Sequence, residues 1–466
     1  MITDMMTPTL RLGVTGLSRA GKTVFITALV RNLVSGGRLP FFFPEAEGRI
    51  LRAYLEPQPD DQIPRFDYER HLETLGAAPP EWPESTRRLS QLRITIEYRS
   101  ANALWRALGT SRLNLDLVDY PGEWLIDLPL LDQSYAAGAT EAVGKAGGLE
   151  SLPKAQSWLE FVGGIDPYER KDEQAALTGA RLYADFLQAA RSADRVHHTS
   201  GPGRFLMPGD LEGSPLLTFC PLPLEPSRAN PRNSLAAMMA RRFESYKSHV
   251  VRPFFNDHFR RLDRQIVLVD VLRPLNEGGA AVADLQSTLD AILRVFRTGS
   301  SSWLDAIMGR RIDKLLFAAT KADHIHSSSH DRLEAILRVV TDRAMGRASA
   351  TGAQVDVQAL AALRATREAE AKVDGELLPC IVGVPMPGER VGGKTFDGRE
   401  EAAVFPGDLP DDPQAALSPQ AAPAGLQFVR CRPPRVRPAG ADGEAPPLPH
   451  VRLDRALEFL LADWLA

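Results

Sequence analysis

The sequence predicts an α/β fold in which a mixed sheet is flanked by helices, and three observations lead to this prediction. First, the alternating segment 9–16 is typical of a strand and leads through a glycine-containing turn into helical spacing over 22–34. Second, the alternating segments 91–99 and 112–120 are predicted to pair as a hairpin, because only about a dozen residues separate them. Third, 265–272 and 314–323 are continuous apolar segments, as expected of parallel strands covered on both faces.

The chain of 466 residues is too long for one ordinary domain, so an insertion or a second domain is expected. After Glu123 the regular alternation gives way to long helical stretches, and strand-like segments return at 265. Pro and Gly become frequent late in the chain, which ends in an amphipathic helix. The predicted organisation is the first part of the α/β domain at 1–123, a mostly helical insertion at 124–264, the second part of the α/β domain at 265–374, a β-rich and loop-rich subdomain at 375–450, and a C-terminal docking helix at 451–466.

The composition is that of a soluble globular protein, with 44% hydrophobic and 24% charged residues. A formal net charge of −4 gives no reason to expect nucleic-acid binding. The sequence shows no signal pattern and no apolar run long enough to cross a membrane. We therefore expect a cytoplasmic protein, with peripheral membrane contact left open. The three cysteines are far apart, as expected of buried residues in a reducing compartment.

The octapeptide GLSRAGKT at 16–23 fits the phosphate-loop pattern G-x-x-x-x-G-K-[ST] and lies between a predicted strand and a predicted helix. Such a loop aims backbone N–H groups and a helix N-terminus at a nucleotide phosphate. We expect Lys22 to lie between the β- and γ-phosphates and the Thr23 hydroxyl to bind Mg²⁺. The residues predicted to contact the phosphates are Gly16, Ser18, Arg19, Ala20, Gly21, Lys22, Thr23 and Val24.

A second motif, LVDYPGEW, occupies 117–124. Asp119 ends an apolar strand, where a carboxylate can hold the Mg²⁺ shell through water. Asp119 and Gly122 form the pattern D-x-x-G, in which the glycine amide senses a γ-phosphate. Following a phosphate loop by about a hundred residues, this pattern favours a nucleoside triphosphate as the ligand.

The tetrapeptide TKAD at 320–323 matches [NT]-K-x-D at the end of another apolar strand. The Asp323 carboxylate can accept hydrogen bonds from N1–H and the 2-amino group of guanine, whereas adenine offers no such pair of donors. The Lys321 stem is predicted to lie across the ring, and His324 either flanks the base or is a surface histidine. The three motifs together predict a guanine-nucleotide-binding domain rather than a kinase or a generic ATPase.

The segment ALAALRAT at 359–366 follows the next strand-like stretch. In such domains a backbone N–H at this point reads guanine O6, and Ala362 and Leu363 are the candidates. Both are included in the predicted base site.

The segment EWPESTRRLS at 81–90 precedes the predicted hairpin. Ser85 or Thr86 could complete the Mg²⁺ shell, with Trp82 close by, and Arg87 could stabilise charge that develops on the phosphate. A Pro-bounded turn in which the hydroxyl groups only cap structure is an equal alternative.

The sequence resembles the YcjX family of bacterial P-loop GTPase-like proteins over most of its length. The resemblance rests on the three nucleotide motifs and on WPESTR, LRAT, the PGRFLMPGDLEGSPLLTF region and the terminal VRLDRALEFLLADWL. It implies a Ras-like P-loop nucleotide-binding domain with a helical insertion and an extra β-rich part, which binds GTP and GDP. It also implies a cellular role linked to stress responses.

Catalysis is a separate question, because many Ras-type GTPases place Gln directly after D-x-x-G and this sequence has Glu123 there. A carboxylate can accept a proton from water but also repels the γ-phosphate. We therefore expect slow GTP hydrolysis that involves Lys22, Glu123 and Arg87 and depends on a protein partner or on self-association through the insertion. A non-catalytic GTP/GDP-binding module or scaffold, and an ATP-using phosphotransferase that conflicts with TKAD, are the open alternatives.

Overall fold

The computed structural model describes two compact units. Unit 1 comprises Met1–Tyr120, Leu262–Ala283 and Arg310–Ala466, and unit 2 comprises Pro121–Arg261 and Asp284–Gly309. Within these bounds the described residues are 7–466 except 18, 85–87, 108, 150, 193–200, 226–227, 295–311, 351, 374–375, 392, 419, 423, 428 and 437–445. The predicted site residues Ser18, Ser85, Thr86 and Arg87 lie outside the described residues.

Unit 1 is built on a seven-stranded mixed sheet with the order β2-β3-β4-β1-β5-β6-β7. Parallel pairing joins β4, β1, β5, β6 and β7, and antiparallel pairing joins β2 to β3 and β3 to β4. The strands are β1 (Thr9–Gly16), β2 (Ile50–Leu55), β3 (Ser90–Tyr98), β4 (Ser111–Asp119), β5 (Arg264–Val269), β6 (Lys314–Ala319) and β7 (Gln354–Ala359).

The hairpin predicted from the sequence is confirmed, because Ser90 of β3 pairs with Asp119 of β4 and Tyr98 pairs with Ser111. The sequence did not predict β2, which lies within a connection that is rich in Pro and polar residues. This strand pairs on one side only, and most of its side chains are partly or fully exposed. An edge strand of this kind lacks the clean alternation of apolar residues that identifies a half-buried strand.

Helices cover the sheet of unit 1 and make up most of unit 2. The α-helices are α1 (Lys22–Val34), α2 (Phe43–Ala46), α3 (Tyr68–Gly76), α4 (Ala103–Ala107), α5 (Tyr135–Gly147), α6 (Pro153–Gly163), α7 (Glu173–Ser192), α8 (Gly203–Leu206), α9 (Leu235–Tyr246), α10 (Arg252–Asp257), α11 (Leu272–Glu277), α12 (Gly279–Arg294), α13 (His330–Ala350) and α14 (Leu453–Leu461). The first residues of α12 belong to unit 1 and the remainder to unit 2.

The core of unit 1 includes residues from both ends of the chain. Leu10 and Leu12 of β1 belong to the same buried cluster as Leu457 and Leu460 of α14. Apolar positions recur three and four residues apart on α14, so one face of this helix is buried. The last helix is therefore part of the packing that supports the central strand.

Unit 2 has a core of its own, in which aromatic side chains are prominent. Trp158 of α6 stacks on Phe186 of α7 with ring centroids 5.4 Å apart and contacts Tyr183 at 4.8 Å. An eleven-residue 3₁₀ segment, Gly122–Asp132, precedes α5 in this unit. Unit 2 can therefore bury a hydrophobic core within itself.

The C-terminal part of unit 1 adds two small antiparallel sheets. One has the order β12-β9-β8, and the other pairs β10 with β11. Their strands are β8 (Arg367–Val373), β9 (Glu376–Gly383), β10 (Arg390–Val391), β11 (Lys394–Thr395) and β12 (Ala402–Val404). Ile381, Val404, Val429 and Cys431 form a separate small core there.

Across the described part of the chain, no helix combines the length and the apolar character needed to cross a membrane.

The burial of α14 gives a stability prediction. Leu457 is fully buried in the core of unit 1, so Leu457→Ala should lower the free energy of unfolding by about 2 to 5 kcal/mol. Arg455→Ala, on the exposed side of the same helix, should change it by about 1 kcal/mol or less. Urea unfolding of both variants checks this, and equal losses would contradict the packing described for α14.

Candidate functional site

The predicted motifs of unit 1 begin at one edge of the parallel sheet. Gly16 at the end of β1 is in register with Leu268 of β5, which pairs with Ala318 of β6. Ala319 in turn pairs with Ala359, the last residue of β7. Because only β5 separates β1 from β6, the two strands lie about 10 Å apart. Ligands of open α/β sheets bind at this carboxyl edge.

The glycine-containing turn combines one position without room for a side chain with two positions of left-handed backbone. A Cβ atom on Gly16 would lie 2.6 Å from the carbonyl oxygen of Leu268, so this position must lack a side chain. Gly21 has φ +91°, and Arg19 also lies in the left-handed region with φ +65°. The amide of Ala20 donates to the Leu17 carbonyl at 3.2 Å, which closes the turn. This compact cradle before α1 fits a phosphate group.

Two side chains at the start of α1 face back toward neighbouring backbone. The ammonium group of Lys22 is buried and donates to the Gly16 carbonyl at 3.1 Å. The hydroxyl of Thr23 donates to the Glu84 carbonyl at 3.4 Å, and Val24 packs partly buried against the core of unit 1. A buried cation and a helix N-terminus at one turn give the site the positive potential that a polyphosphate requires.

Asp119 is placed near the glycine turn by the parallel pairing of β4 with β1. It is the last residue of β4, it is in register with Val14 of β1, and it is buried. The described residues contain no group of three or more His, Cys, Asp or Glu side chains that could hold a metal. Mg²⁺ in nucleotide sites uses one or two protein oxygens and the phosphates, so Thr23 and Asp119 fit as its protein contacts.

The TKAD turn is held against the loop that follows β7. The amide of Ala365 donates to Asp323 Oδ2 at 2.8 Å, and the Thr366 hydroxyl donates to the Asp323 carbonyl at 2.5 Å. Below them, the amide of Ala322 donates to the Leu360 carbonyl at 3.2 Å. The structure thus brings together the Asp323 carboxylate and the LRAT loop, which lie 42 residues apart in the sequence.

Lys321 and His324 flank Asp323 in this turn. Lys321 has φ +61°, and its ammonium group donates to Asp270, the residue that follows β5. His324 is buried rather than exposed at the surface, and burial lowers the pKa of its imidazole while Asp323 opposes this effect. A neutral histidine at this position is compatible with an apolar neighbour such as a base.

The loop after β7 places the two candidate O6 readers between bonded neighbours. The amide of Ala361 donates to Val451 at 3.1 Å, and the amide of Arg364 donates to Pro449 at 2.7 Å. Ala362 is partly buried, and Leu363 is buried in the core of unit 1. The backbone of this loop is therefore fixed on both sides of the candidate amides.

The remaining predicted residues are Trp82, Gly122 and Glu123. Trp82 of unit 1 is half-buried, and its indole N–H donates to the Cys431 carbonyl at 2.8 Å. Gly122 and Glu123 belong to unit 2 and begin its 3₁₀ segment. Glu123 is buried and forms an ion pair with Arg191 of α7. The negative charge that the sequence places after D-x-x-G is therefore compensated within unit 2.

Within unit 2, the 3₁₀ segment that begins with Gly122 and Glu123 has partners that were not predicted from the sequence. A Cβ atom on Gly203 would lie 1.8 Å from the Glu123 carbonyl oxygen, so the backbones of the two segments are in close contact. The Asp127 carboxylate is buried and accepts hydrogen bonds from the Gly203 amide at 2.7 Å and the Tyr246 hydroxyl at 2.8 Å. The only sequence signal was the glycine-rich stretch GPGRFLMPG, which does not identify its partners.

Unit 2 also contains a cavity of about 820 Å³. Aromatic side chains including Tyr183, Phe186 and Phe219 line part of its wall. The glycine turn and the TKAD turn belong to unit 1 and do not line it, so this cavity is distinct from the motif cluster at the sheet edge.

The strand order of unit 1, with a phosphate-loop sequence between β1 and α1, defines a Ras-like P-loop α/β protein. The predicted fold class, including extra helices and a β-rich C-terminal region, is confirmed. This chain belongs to the YcjX-like family, DUF463, whose family model matches residues 10–465. The resemblance found in the sequence is thereby confirmed.

Two relatives in this family are similar to the chain over nearly its whole length. It is 38% identical over 469 residues to the Ras-like GTPase YcjX of Escherichia coli (strain K12), and this alignment covers 98% of the chain and 96% of the relative. It is 33% identical over 480 residues to the Ras-like GTPase YcjX of Shewanella oneidensis, and this alignment covers 98% of the chain and 94% of the relative.

The buried Asp127 gives a prediction for the pH dependence of unit 2. Burial raises its pKa to about 6, although hydrogen bonds from Tyr246 and the Gly203 amide oppose the rise. Between about pH 4 and pH 6 the folded state binds more protons than the unfolded state, so stability falls as pH rises. Relative to Asp127→Asn, the wild-type protein should lose about 3 kcal/mol of unfolding free energy across this range.

Urea unfolding at several pH values, followed by tryptophan fluorescence, measures this difference. Asp257→Asn, at an exposed position of the same unit, is the matched control and should follow the wild-type curve. Parallel curves for wild type and Asp127→Asn would contradict the expected pH dependence.

Proposed function

We propose that this protein binds GTP and GDP together with Mg²⁺ at the carboxyl edge of the unit 1 sheet, and that it hydrolyses GTP slowly. The observation that carries the proposal is the contact between the TKAD turn and the loop after β7. The amide of Ala365 holds the Asp323 carboxylate at the same sheet edge as the glycine turn. The two relatives whose names read Ras-like GTPase support the same conclusion.

At the phosphate end, the cradle is proposed to consist of Gly16, the amides of residues 19–23 and the side chain of Lys22. Lys22 would leave the Gly16 carbonyl and donate to the β- and γ-phosphate oxygens, which are stronger acceptors because they are charged. Thr23 and Asp119 would hold Mg²⁺ directly and through water, and the ion would neutralise phosphate charge.

At the base end, the Asp323 carboxylate is proposed to accept from N1–H and the 2-amino group of guanine. A carboxylate has about four acceptor positions, so the bond from Ala365 leaves enough for both donors. The Lys321 stem and His324 would flank the ring, and an amide of Ala362 or Leu363 would read O6. An adenine ring would leave this buried carboxylate without its donors.

Hydrolysis requires a group that orients water near the γ-phosphate, and Glu123 is the proposed residue. Its pairing with Arg191 offsets the repulsion between a carboxylate and the phosphate but also holds the side chain in place. This restraint supports slow turnover. Arg87 as a cis arginine and Ser85 or Thr86 as Mg²⁺ ligands remain predictions that concern residues outside the described ones.

The second candidate is a non-catalytic GTP/GDP-binding module. The Glu123–Arg191 ion pair favours it, because a carboxylate that accepts hydrogen bonds from arginine has less acceptor capacity left for a water molecule. Under either candidate, a role in stress responses, a cytoplasmic location, and self-association or a protein partner through 124–264 form part of the proposal.

Base recognition can be tested by Asp323→Asn. This variant should bind GTP at least about tenfold more weakly and should favour xanthosine triphosphate, whose 2-oxo group accepts a hydrogen bond from the new amide. Equilibrium binding of GTP, xanthosine triphosphate and ATP to both proteins measures the change. Lys22→Ala should lose GTP binding, and unchanged GTP affinity in Asp323→Asn would show that the base lies elsewhere.

Catalysis can be tested by single-turnover hydrolysis of bound GTP. The wild-type protein should form GDP at about 10⁻⁴ to 10⁻² per second, in the range of intrinsic Ras-like rates. Glu123→Ala should retain GTP and slow this step about tenfold or more, whereas the exposed control Glu160→Ala should behave like wild type. Stable GTP in the wild-type protein would favour the non-catalytic module.

A further inference from the structure

The stretch Trp82-Pro83-Glu84 is attached at both ends to parts of unit 1 that are distant in the sequence. Its first residue donates from the indole N–H to the Cys431 carbonyl at 2.8 Å. Its last residue accepts at its carbonyl from the Thr23 hydroxyl at 3.4 Å. Thr23 begins the helix behind the glycine turn, so this attachment lies at the phosphate end of the proposed site.

The other attachment lies at the base end. Cys431 forms an antiparallel bridge with Pro385, which follows the end of β9 at Gly383 after one intervening residue. A Cβ atom on Gly383, the last residue of β9, would lie 2.8 Å from Cys431 Sγ and 3.2 Å from the Ala365 carbonyl oxygen. Ala365 is the residue whose amide holds Asp323. A short series of contacts therefore connects Trp82 to the base-recognising carboxylate.

The electrostatic environment of the thiol agrees with this placement. Burial, together with the negative charges of Asp323 and Glu389, raises the pKa of Cys431 to about 12. Glu389 also acts on the imidazole of His324. The thiol of Cys431 is thus within electrostatic range of Asp323, the carboxylate that is proposed to bind guanine.

We infer that Trp82-Pro83-Glu84 is a strap along the bound nucleotide, tied at the phosphate end through Thr23 and at the base end through Cys431, and that the Trp82–Cys431 hydrogen bond slows nucleotide release. The inference rests on the proposed function, because it assigns a role to contacts on either side of that site. It also gives the β-rich C-terminal region a role, which is to hold the base end of the strap.

Two features let the strap stay attached while nucleotide is bound. A threonine hydroxyl has one donor hydrogen and two lone pairs, so Thr23 can bind Mg²⁺ and still donate to Glu84. Pro83 has a fixed φ and no N–H, so the middle of the strap is stiff. Release of nucleotide past this stretch therefore requires one of the two end contacts to break.

The alternative is that Trp82 only anchors its segment, because its ring also packs against the core of unit 1. Trp82→Phe separates these roles, since phenylalanine retains most of the apolar ring but lacks the indole N–H. Trp464→Phe is the matched control. Trp464 is also half-buried in unit 1, but it lies near Arg264 at the start of β5, at the other edge of the sheet.

The experiment measures release of radiolabelled GDP from the full-length protein by filter binding after addition of excess unlabelled GDP, which avoids any dependence on tryptophan fluorescence. Trp82→Phe should release GDP about threefold to tenfold faster than wild type, with association changed by less than about twofold. Pro83→Gly, which leaves the indole intact, should also release GDP faster, and Trp464→Phe should release it at the wild-type rate.

The outcomes separate the strap from the proposed function. Wild-type protein that does not retain GDP overturns the proposed function. Wild-type protein that retains GDP, together with Trp82→Phe and Pro83→Gly variants that release it at the wild-type rate, overturns the strap alone. Thermal unfolding of the nucleotide-free proteins identifies an anchor role: a lower midpoint in Trp82→Phe with an unchanged release rate also contradicts the strap.

Discussion

The structure of unit 1 depends on the close contact between the end of β1 and the backbone of β5. No side chain fits at Gly16, because its Cβ would meet the Leu268 carbonyl at 2.6 Å, so the chain turns away from the sheet there and enters α1. The same register aligns Leu268 with Ala318, which places the start of the TKAD turn at the same edge. Parallel pairing of β1, β5 and β6 is thus the constraint that brings the glycine turn and the TKAD turn to the same edge of the sheet.

Strands, helices and motifs could be predicted from short stretches of sequence, whereas the partners of individual side chains far apart in the chain could not. The β3–β4 hairpin and the strand, turn and helix around Gly16 follow from periodicity and glycine placement within short windows. The edge strand β2 has no clear period. The Glu123–Arg191 pair, 68 residues apart, and the Trp82–Cys431 bond, 349 residues apart, leave no signal in a single sequence.

Residues of unit 2 hold the side chain of Glu123, the residue that follows D-x-x-G. Glu123 begins a 3₁₀ segment whose next turn carries Asp127, and both are held by residues of the same unit, Arg191 and Tyr246 among them. A buried carboxylate that loses its partner is unfavourable by several kcal/mol, about 3 to 5 for deeply buried pairs and less where one partner is partly exposed. The packing of unit 2 therefore sets the position of the side chain that follows D-x-x-G.

Unit 1 is assembled from the two ends of the chain, and this arrangement links nucleotide binding to completion of the fold. Asn32 of α1 exchanges two hydrogen bonds with the backbone of Leu448, and the fully buried Arg264 of β5 pairs with Asp463 after α14. The helix behind the glycine turn and the strand beside it therefore lack part of their support until the last residues have folded. A ligand that binds only the completed unit stabilises it in proportion to the logarithm of its free concentration over its dissociation constant. A ligand bound at the glycine turn would thus also stabilise the contacts between the two ends of the chain.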